Sequence, residues 1–403
     1  MQQAARVYLS HPTGNQNSRQ LAQALAAEGR LLEFATALSI PQWLAEFRWL
    51  PPSLRNELSR RTFHNESQMH SLAAGAEITR LLQARLSRST SRSAVDDLYC
   101  TVDERAATCI RKLQPTHVYA YEDGALASFR AAESVGARRV YELPIGHWKA
   151  HRALCAEEAE RVPEWADTWA LEAEPEDKLQ RKDDELRASD RIVVPSDFVR
   201  TTLAAAGVAR DKISIIPYGC PAPATSLDLK PSKTGRLRVL FVGGLSQRKG
   251  LSYLVEALAP LGRHAEVTVV GRGPGRWKLP TDWRVIDSLP HDRVLEEMQR
   301  HDVFVFPTLF EGRSLALAEA AACGLVLITT PNSGAADLVE TGVNGWVVPI
   351  RNSAAITEKL ESLAAHPDRI PDLRRQSLNI AQRHSWVVYA SAMNRLIGTE
   401  AHT

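Results

Sequence analysis

The sequence predicts an α/β chain built from two doubly wound units that face one cleft. Three observations carry this. The chain has 403 residues, more than one ordinary hydrophobic core organises. Its second half alternates apolar strands with helical stretches, as a parallel sheet requires. Its first half repeats that alternation in weaker form.

In the first half, Arg6–Ser10, Thr116–Tyr121, Arg139–Leu143, Arg191–Pro195 and Lys212–Pro217 read as strands. A long helical region, rich in Arg and Glu, is expected over roughly residues 40–112. Pro221–Gly235, with its Pro, Ser, Thr, Lys and Gly, reads as a linker. Beyond it the spacing predicts strands at Leu237–Val242, Glu266–Val270, Arg284–Ile286, Val303–Phe306 and Leu325–Thr329. Helices are expected at Leu251–Leu261, His291–Arg300 and Ser314–Ala322, the last stopped by Gly324. Terminal helices follow near Ala354–Ala365 and Ser385–Leu396. The resulting division is 1–220, a linker 221–235, a second unit 236–384 and a final helix in 385–403.

Composition narrows the function. With 49 Lys+Arg against 47 Asp+Glu, no charge excess calls for nucleic acid. Five scattered cysteines, with no CxxC pair, argue for a reducing compartment and against a disulfide framework or zinc site. Arg6-Val7-Tyr8-Leu9-Ser10 lacks the apolar core of a signal peptide. No apolar run reaches the roughly 20 residues that cross a bilayer. The expected location is the cytoplasm, with any membrane contact peripheral. Nothing in the sequence sets the oligomeric state.

Residues 310–324 hold Glu311 and Glu319, the first beside Gly312 where an apolar strand gives way to a helix. On a helix, eight positions span roughly 12 Å. Carboxylates so spaced suit a long ligand with hydroxyls at both ends, and free N–H groups at the helix start between them attract an anion. A nucleotide-sugar has that layout. Taken singly, Glu311 would only complement the helix's positive end, and Glu319 would lie on the surface.

Gly243-Gly244-Leu245-Ser246-Gln247-Arg248-Lys249-Gly250 follows a strand and opens a helix. Gly243 and Gly244 allow close backbone approach, and Arg248 and Lys249 offer charge to a diphosphate. A tight turn with two solvated cations is the plainer alternative. Gly271-Arg272-Gly273-Pro274-Gly275 reads equally as a phosphate loop or a plain turn, because Pro274 removes a backbone donor. These features fall at the carboxyl ends of strands, where doubly wound sheets bind ligands.

His147, in Ile145-Gly146-His147-Trp148, either faces that cleft or packs beside Trp148. At the end of the first strand, His11, Gly14 and Asn15 either bind an acceptor or form a turn and helix cap. Asp96-Asp97 and Asp183-Asp184 read as solvated surface. Trp43, Phe47 and Trp49, with Arg55, Arg60 and Arg61, read as a partly buried hairpin, the alternative being a basic patch for a membrane-borne acceptor.

These residues resemble the retaining glycosyltransferases of the two-Rossmann-domain GT-B fold, specifically glycosyltransferase family 4. The resemblance is strongest over Leu237–Val348 and extends to Val194-Pro195-Ser196-Asp197-Phe198-Val199, Ile215-Ile216-Pro217-Tyr218-Gly219 and Ser385-Trp386. It implies a last helix that crosses back to the first domain. It also implies that Glu311 contacts the donor sugar and Glu319 the ribose diol. Backbone N–H groups of Gly312, Arg313, Ser314 and Leu315, together with Lys249, would hold the diphosphate. Where the family has an arginine this chain has Gly244, so Arg248 or Arg313 is expected to replace it. Ser314 stands in place of a common glycine, and the N-terminal glycine-rich loop is reduced to Gly14.

The implied reaction moves a sugar from a UDP-, GDP- or ADP-linked donor to a hydroxyl acceptor, with retention. His147 would touch donor sugar or acceptor, and no metal or other cofactor is expected. Two further readings stay open: a nucleotide-sugar epimerase, and a nucleotide-sugar-binding scaffold without turnover.

Overall fold

The computed structural model describes residues 5–399 apart from 46–54, 56–57, 60, 64–65, 88–91, 170–173 and 227–233. Thirteen strands form two parallel sheets among the described residues. The first contains β1 (Val7–Ser10), β2 (Leu31–Thr36), β3 (Met69–Ser71), β4 (His117–Tyr121), β5 (Arg138–Glu142), β6 (Arg191–Val194) and β7 (Ile213–Ile215). Its spatial order is β3-β2-β1-β4-β5-β6-β7. The second contains β8 (Leu237–Val242), β9 (Ala265–Val270), β10 (Arg284–Ile286), β11 (Val303–Phe306), β12 (Val326–Thr329) and β13 (Gly345–Val347), ordered β10-β9-β8-β11-β12-β13.

Helices cover both sheets: α1 (Gln16–Ala27), α2 (Gln42–Ala45), α3 (Ala74–Ser87), α4 (Arg92–Leu113), α5 (Leu126–Ser134), α6 (Trp148–Arg161), α7 (Glu176–Ala188) and α8 (Asp197–Ala205) in the first half. The second half adds α9 (Leu251–Leu258), α10 (His291–Gln299), α11 (Leu315–Ala322), α12 (Ser353–Ala365), α13 (Ile370–Arg383) and α14 (Trp386–Thr399). This double coverage explains the sequence of the central strands. β11 (Val-Phe-Val-Phe) and β12 (Val-Leu-Ile-Thr) are buried at every position, so they show no polar alternation.

The first half departs from expectation. The region 40–112 is not one helical stretch; it contains β3 between short helices and the long α3 and α4. β2 was not anticipated either. Its Leu31-Leu-Glu-Phe-Ala-Thr36 has a single β-branched residue, and β3 is only Met69-His-Ser71 at the sheet edge. Both owe their conformation to pairing with a neighbour rather than to propensity. Of the aromatic–basic patch, Phe47, Trp49 and Arg60 lie outside the described residues. Trp43 is 61% exposed, whereas Arg61 pairs with the buried Glu77 at 2.6 Å. No described helix is long and apolar enough to cross a membrane.

Two segments cross between the halves. α14 returns to the first sheet, packing Tyr389, Met393 and Ile397 in one cluster with Leu21 and Leu25 of α1. Residues 148–169, which the sequence placed in the first unit, lie against the second. Glu158 of α6 is 2% exposed and accepts from Gln247 Nε2 (2.8 Å), Tyr253 Oη (3.0 Å) and Arg351 Nε (2.5 Å). Trp165 enters the core of the second sheet. A buried carboxylate with three donors fixes this junction firmly, because each bond lost would leave charge unpaired in the interior.

Candidate functional site

The second sheet reverses its winding between β8 and β11, since β9 and β10 extend it one way and β12 and β13 the other. Loops leaving these two strands diverge and open a crevice at their carboxyl ends. Both loops carry the charged residues. After β8 the chain forms a tight turn, Gln247–Lys249, closed by Gly250 at φ 72°. A methyl at Gly250 would stand 2.0 Å from the Pro307 carbonyl oxygen, so only glycine lets the turn lie on the chain leaving β11. Leu309 N and Thr308 Oγ1 then both donate to the Arg248 carbonyl, at 2.9 and 3.1 Å. These contacts bring Arg248 and Lys249 beside Glu311.

The three side chains form an ion triad. Glu311 Oε1 accepts from Arg248 Nη1 at 2.5 Å and from Lys249 Nζ. Arg248 Nη1 also donates to Phe310 O at 2.7 Å. Side-chain exposure is 12% for Lys249 and 13% for Glu311. Burial pushes the Lys249 ammonium below its usual range; Glu311 opposes this and Arg248 adds to it. Such a cluster can hold phosphate oxygens on the two cations and a sugar hydroxyl on the carboxylate.

The loop Gly271–Gly275 buttresses this turn. Leu245 N donates to Arg272 O, and Gly275 N donates to Leu245 O, both at 2.8 Å. At Gly244, by contrast, an added Cβ would meet nothing within 4 Å.

α11 begins at Leu315, because Ser314 caps it: Ser314 Oγ accepts from Leu317 N at 3.2 Å. Glu311 therefore lies in the preceding loop, and the helical spacing assumed between Glu311 and Glu319 does not apply. The Ser314 N–H donates to Ser333 O at 3.0 Å, so it is already committed. Leu315 and Ala316, in the first turn, have no intrahelical acceptor for their N–H groups. Glu319 is 13% exposed, with its Oε1 3.8 Å from His291 Nδ1. Burial pushes its carboxyl up against the pull of His291. Arg313 turns the other way. Its side chain is 1% exposed, with Nη1 on Asp337 Oδ1 (2.5 Å) and Nε on Tyr218 O (2.9 Å). Arg248, not Arg313, accompanies Lys249.

The first half closes over this crevice. A methyl at Gly312 would stand 1.6 Å from the Pro144 carbonyl oxygen, and Ser196 Oγ donates to Gly312 O at 2.6 Å. His147, expected to touch a ligand, is instead the N-cap of α6. Its Nδ1 accepts from Lys149 N (3.3 Å) and its Nε2 lies 3.2 Å from Asp183 Oδ1. Asp183, read as solvated surface, also accepts from Trp148 Nε1 at 2.8 Å. Both His147 nitrogens thus serve the fold.

One turn on, His151, which the sequence left unmarked, packs beside Phe310 of the triad loop. Its ring meets Phe310 edge-on, with centroids 5.0 Å apart. Its Nε2 accepts from Trp169 Nε1 at 3.0 Å. Indole is only a donor, so the neutral ring carries its proton on Nδ1. Burial and then the Arg248 charge hold His151 below its usual pKa. Only α6 periodicity, which places residue 151 beneath 147, could have flagged it.

A second cavity, about 300 Å³, lies at the carboxyl ends of β1 and β4, lined by His11, Thr13, Asn15, Tyr121, Glu122 and Lys178 among others. His11 Nδ1 accepts from Thr13 N (3.1 Å) and Gly14 N (3.0 Å), and burial lowers its pKa to about 4. It is a neutral donor through Nε2. Asn15 Oδ1 caps α1 by accepting from Ser18 N at 2.9 Å. Gly14 serves a turn at φ 59°, where a Cβ would strike Phe63 at 2.6 Å. Burial raises Glu122 to about 7 despite Lys182. A larger cavity, about 600 Å³, opens among Arg236, Arg238, Trp283 and Arg300. It sits where the strands begin, away from the triad.

Residues 236–366, which hold the triad, match the family model of glycosyl transferases group 1. An amylovoran biosynthesis glycosyltransferase from Erwinia amylovora is 28% identical over 198 residues, covering 44% of this chain and 49% of that protein. A glycogen synthase from Mycobacterium tuberculosis is 28% identical over 200 residues, covering 45% and 47%. The matched stretch spans about half the length of these curated relatives. Among solved structures, sucrose-phosphate synthase from Thermosynechococcus elongatus aligns with a TM-score of 0.65 at 18% identity, covering 97% of this chain and 98% of that one. HepE from Anabaena, in complex with UDP-glucose, aligns with a TM-score of 0.62 at 14% identity, covering 98% and 99%. The chain therefore has the GT-B architecture, and its residues 236–366 match the group 1 glycosyl transferase domain.

Proposed function

We propose that this protein transfers a sugar from a nucleoside-diphosphate-sugar to a hydroxyl acceptor, with retention of configuration. The observation that carries this reading is the triad of Arg248, Lys249 and Glu311 at the crevice between β8 and β11. The donor diphosphate lies on Lys249, Arg248 and the first-turn amides of Leu315 and Ala316. Glu311 receives a sugar hydroxyl, and Glu319 the ribose. As the glycosidic bond lengthens, negative charge grows on the departing phosphate. Fixed cations in a dry crevice stabilise that charge without reorganising. They supply what a metal ion would otherwise provide, so turnover needs no added divalent cation. Phe310, Phe198 and Gly146 close the crevice against water, which limits hydrolysis.

The acceptor enters from the cavity at His11 and Glu122. The UDP-glucose held by HepE favours a UDP-linked donor, and the five free cysteines favour a reducing, cytoplasmic setting. UDP-, GDP- and ADP-sugars offered in turn, with product analysis, test the assignment. Sugar transfer or slow donor hydrolysis with one nucleotide is expected, and an α-linked donor should yield an α-linked product. Tight binding without any bond cleavage would instead identify a scaffold. Conversion of the donor to its epimer would identify an epimerase.

A further inference from the structure

The cysteine spacing argued against zinc, but the fold gathers a donor set that spacing cannot reveal. Glu33 of β2, His70 of β3 and Cys109 of α4 present a carboxylate oxygen, an imidazole nitrogen and a thiol within 4.8 Å of one another. His70 Nδ1 and Glu33 Oε1 are 2.9 Å apart. Tyr8, paired in register with Glu33, sends its phenol to the same spot. It is fully buried, with Cys109 and Glu33 as the groups nearest its hydroxyl. Burial, then the nearby Cys109 and Glu33, push that phenol's pKa well up. It therefore stays a neutral hydroxyl next to two acidic groups.

We propose that Glu33, His70 and Cys109 bind a divalent cation of the zinc class, with the Tyr8 hydroxyl beside the ligands. The ligand types fit. Mixed nitrogen, oxygen and sulfur donors suit tetrahedral Zn²⁺, whose bonds of about 2.0–2.3 Å set donor–donor separations of roughly 3.3–3.8 Å. The charges fit as well, since one carboxylate and one thiolate neutralise a dication. A hard cation such as Mg²⁺ would gain little from sulfur. The ligands come from three elements, and β3 is a three-residue edge strand. The bound ion therefore fastens that edge and the end of α4 to the first sheet. It takes no part in sugar transfer and stands whether or not the transferase reading does.

Binding releases the Cys109 proton. The full-length protein, freed of metal, is titrated with Co²⁺ and Zn²⁺. One equivalent of Co²⁺ should give a thiolate-to-cobalt charge-transfer band that disappears in Cys109→Ser and persists in Cys100→Ser. Zn²⁺ should bind with a Kd of about 1 µM or tighter and raise the melting temperature. His70→Ala should weaken it at least tenfold. No thiolate band, or an undiminished band in Cys109→Ser, would overturn the site. So would Zn²⁺ affinity unchanged in both variants.

Discussion

At the residue scale, Glu311 organises the crevice by holding two cations that would otherwise repel each other at close range. Its removal should leave Arg248 and Lys249 mutually opposed. Glu311→Ala and Lys249→Ala are each expected to cut kcat at least tenfold, about 1.4 kcal/mol of barrier, with the fold retained. Gly244 and Arg248 make a sharper pair. An added side chain at Gly244 meets open space, so Gly244→Arg should restore turnover to Arg248→Ala if Arg248 supplies the charge missing there. No restoration would remove Arg248 from the diphosphate. His147 and His151 separate in the same way. His147→Ala breaks contacts to Asp183 and Lys149 and should lower the melting temperature. His151→Ala, which also leaves Trp169 Nε1 without its acceptor, should lower kcat or raise KM beyond what any fall in melting temperature explains.

At the element scale, the loop after β11 is positioned by the first half as much as by its own sheet. Gly312 touches the Pro144 backbone, so Gly312→Ala should push the halves apart and depress stability and turnover together. Calorimetric melting and steady-state rates on the same preparation would show this; loss of neither would place the contact outside the working molecule. This loop also marks what the sequence allowed. β8, β11 and β12 were legible because full burial gives unbroken apolar runs, and Gly324 correctly ended α11. That Glu311, Lys249 and Arg248 come together in space was legible because strand ends in a doubly wound sheet converge. The capping role of His147 and the turn of Arg313 away from the triad were not. Their charged partners, Asp183 and Asp337, are remote in sequence. β2 and β3 escaped for a related reason, being strands by virtue of their neighbours.

At the scale of the molecule, the first half carries a pH dependence in its buried carboxylates. Burial raises Glu122 and Glu142 to about 7 and Glu185 to about 8. Their unfolded pKa is near 4.3, so between these values the folded state binds more protons and stability falls as pH rises. His11 and His117, both lowered to about 4 by burial, act below pH 6.5 and erode stability as pH falls. Above pH 6.5 the buried carboxylates still lower stability as pH rises. The melting temperature should drop from pH 6.5 to 8.5, and Glu142→Gln should flatten part of that drop. A flat profile in wild type would contradict the burial argument. The two halves meet over a charged crevice, and the central claim is that Lys249 grips the donor's diphosphate. The most direct test is calorimetric binding of the selected nucleoside diphosphate and of its parent nucleoside to wild type and Lys249→Ala. Diphosphate affinity should fall at least tenfold while nucleoside affinity stays the same. Equal losses for both ligands, or no loss for either, would contradict the account.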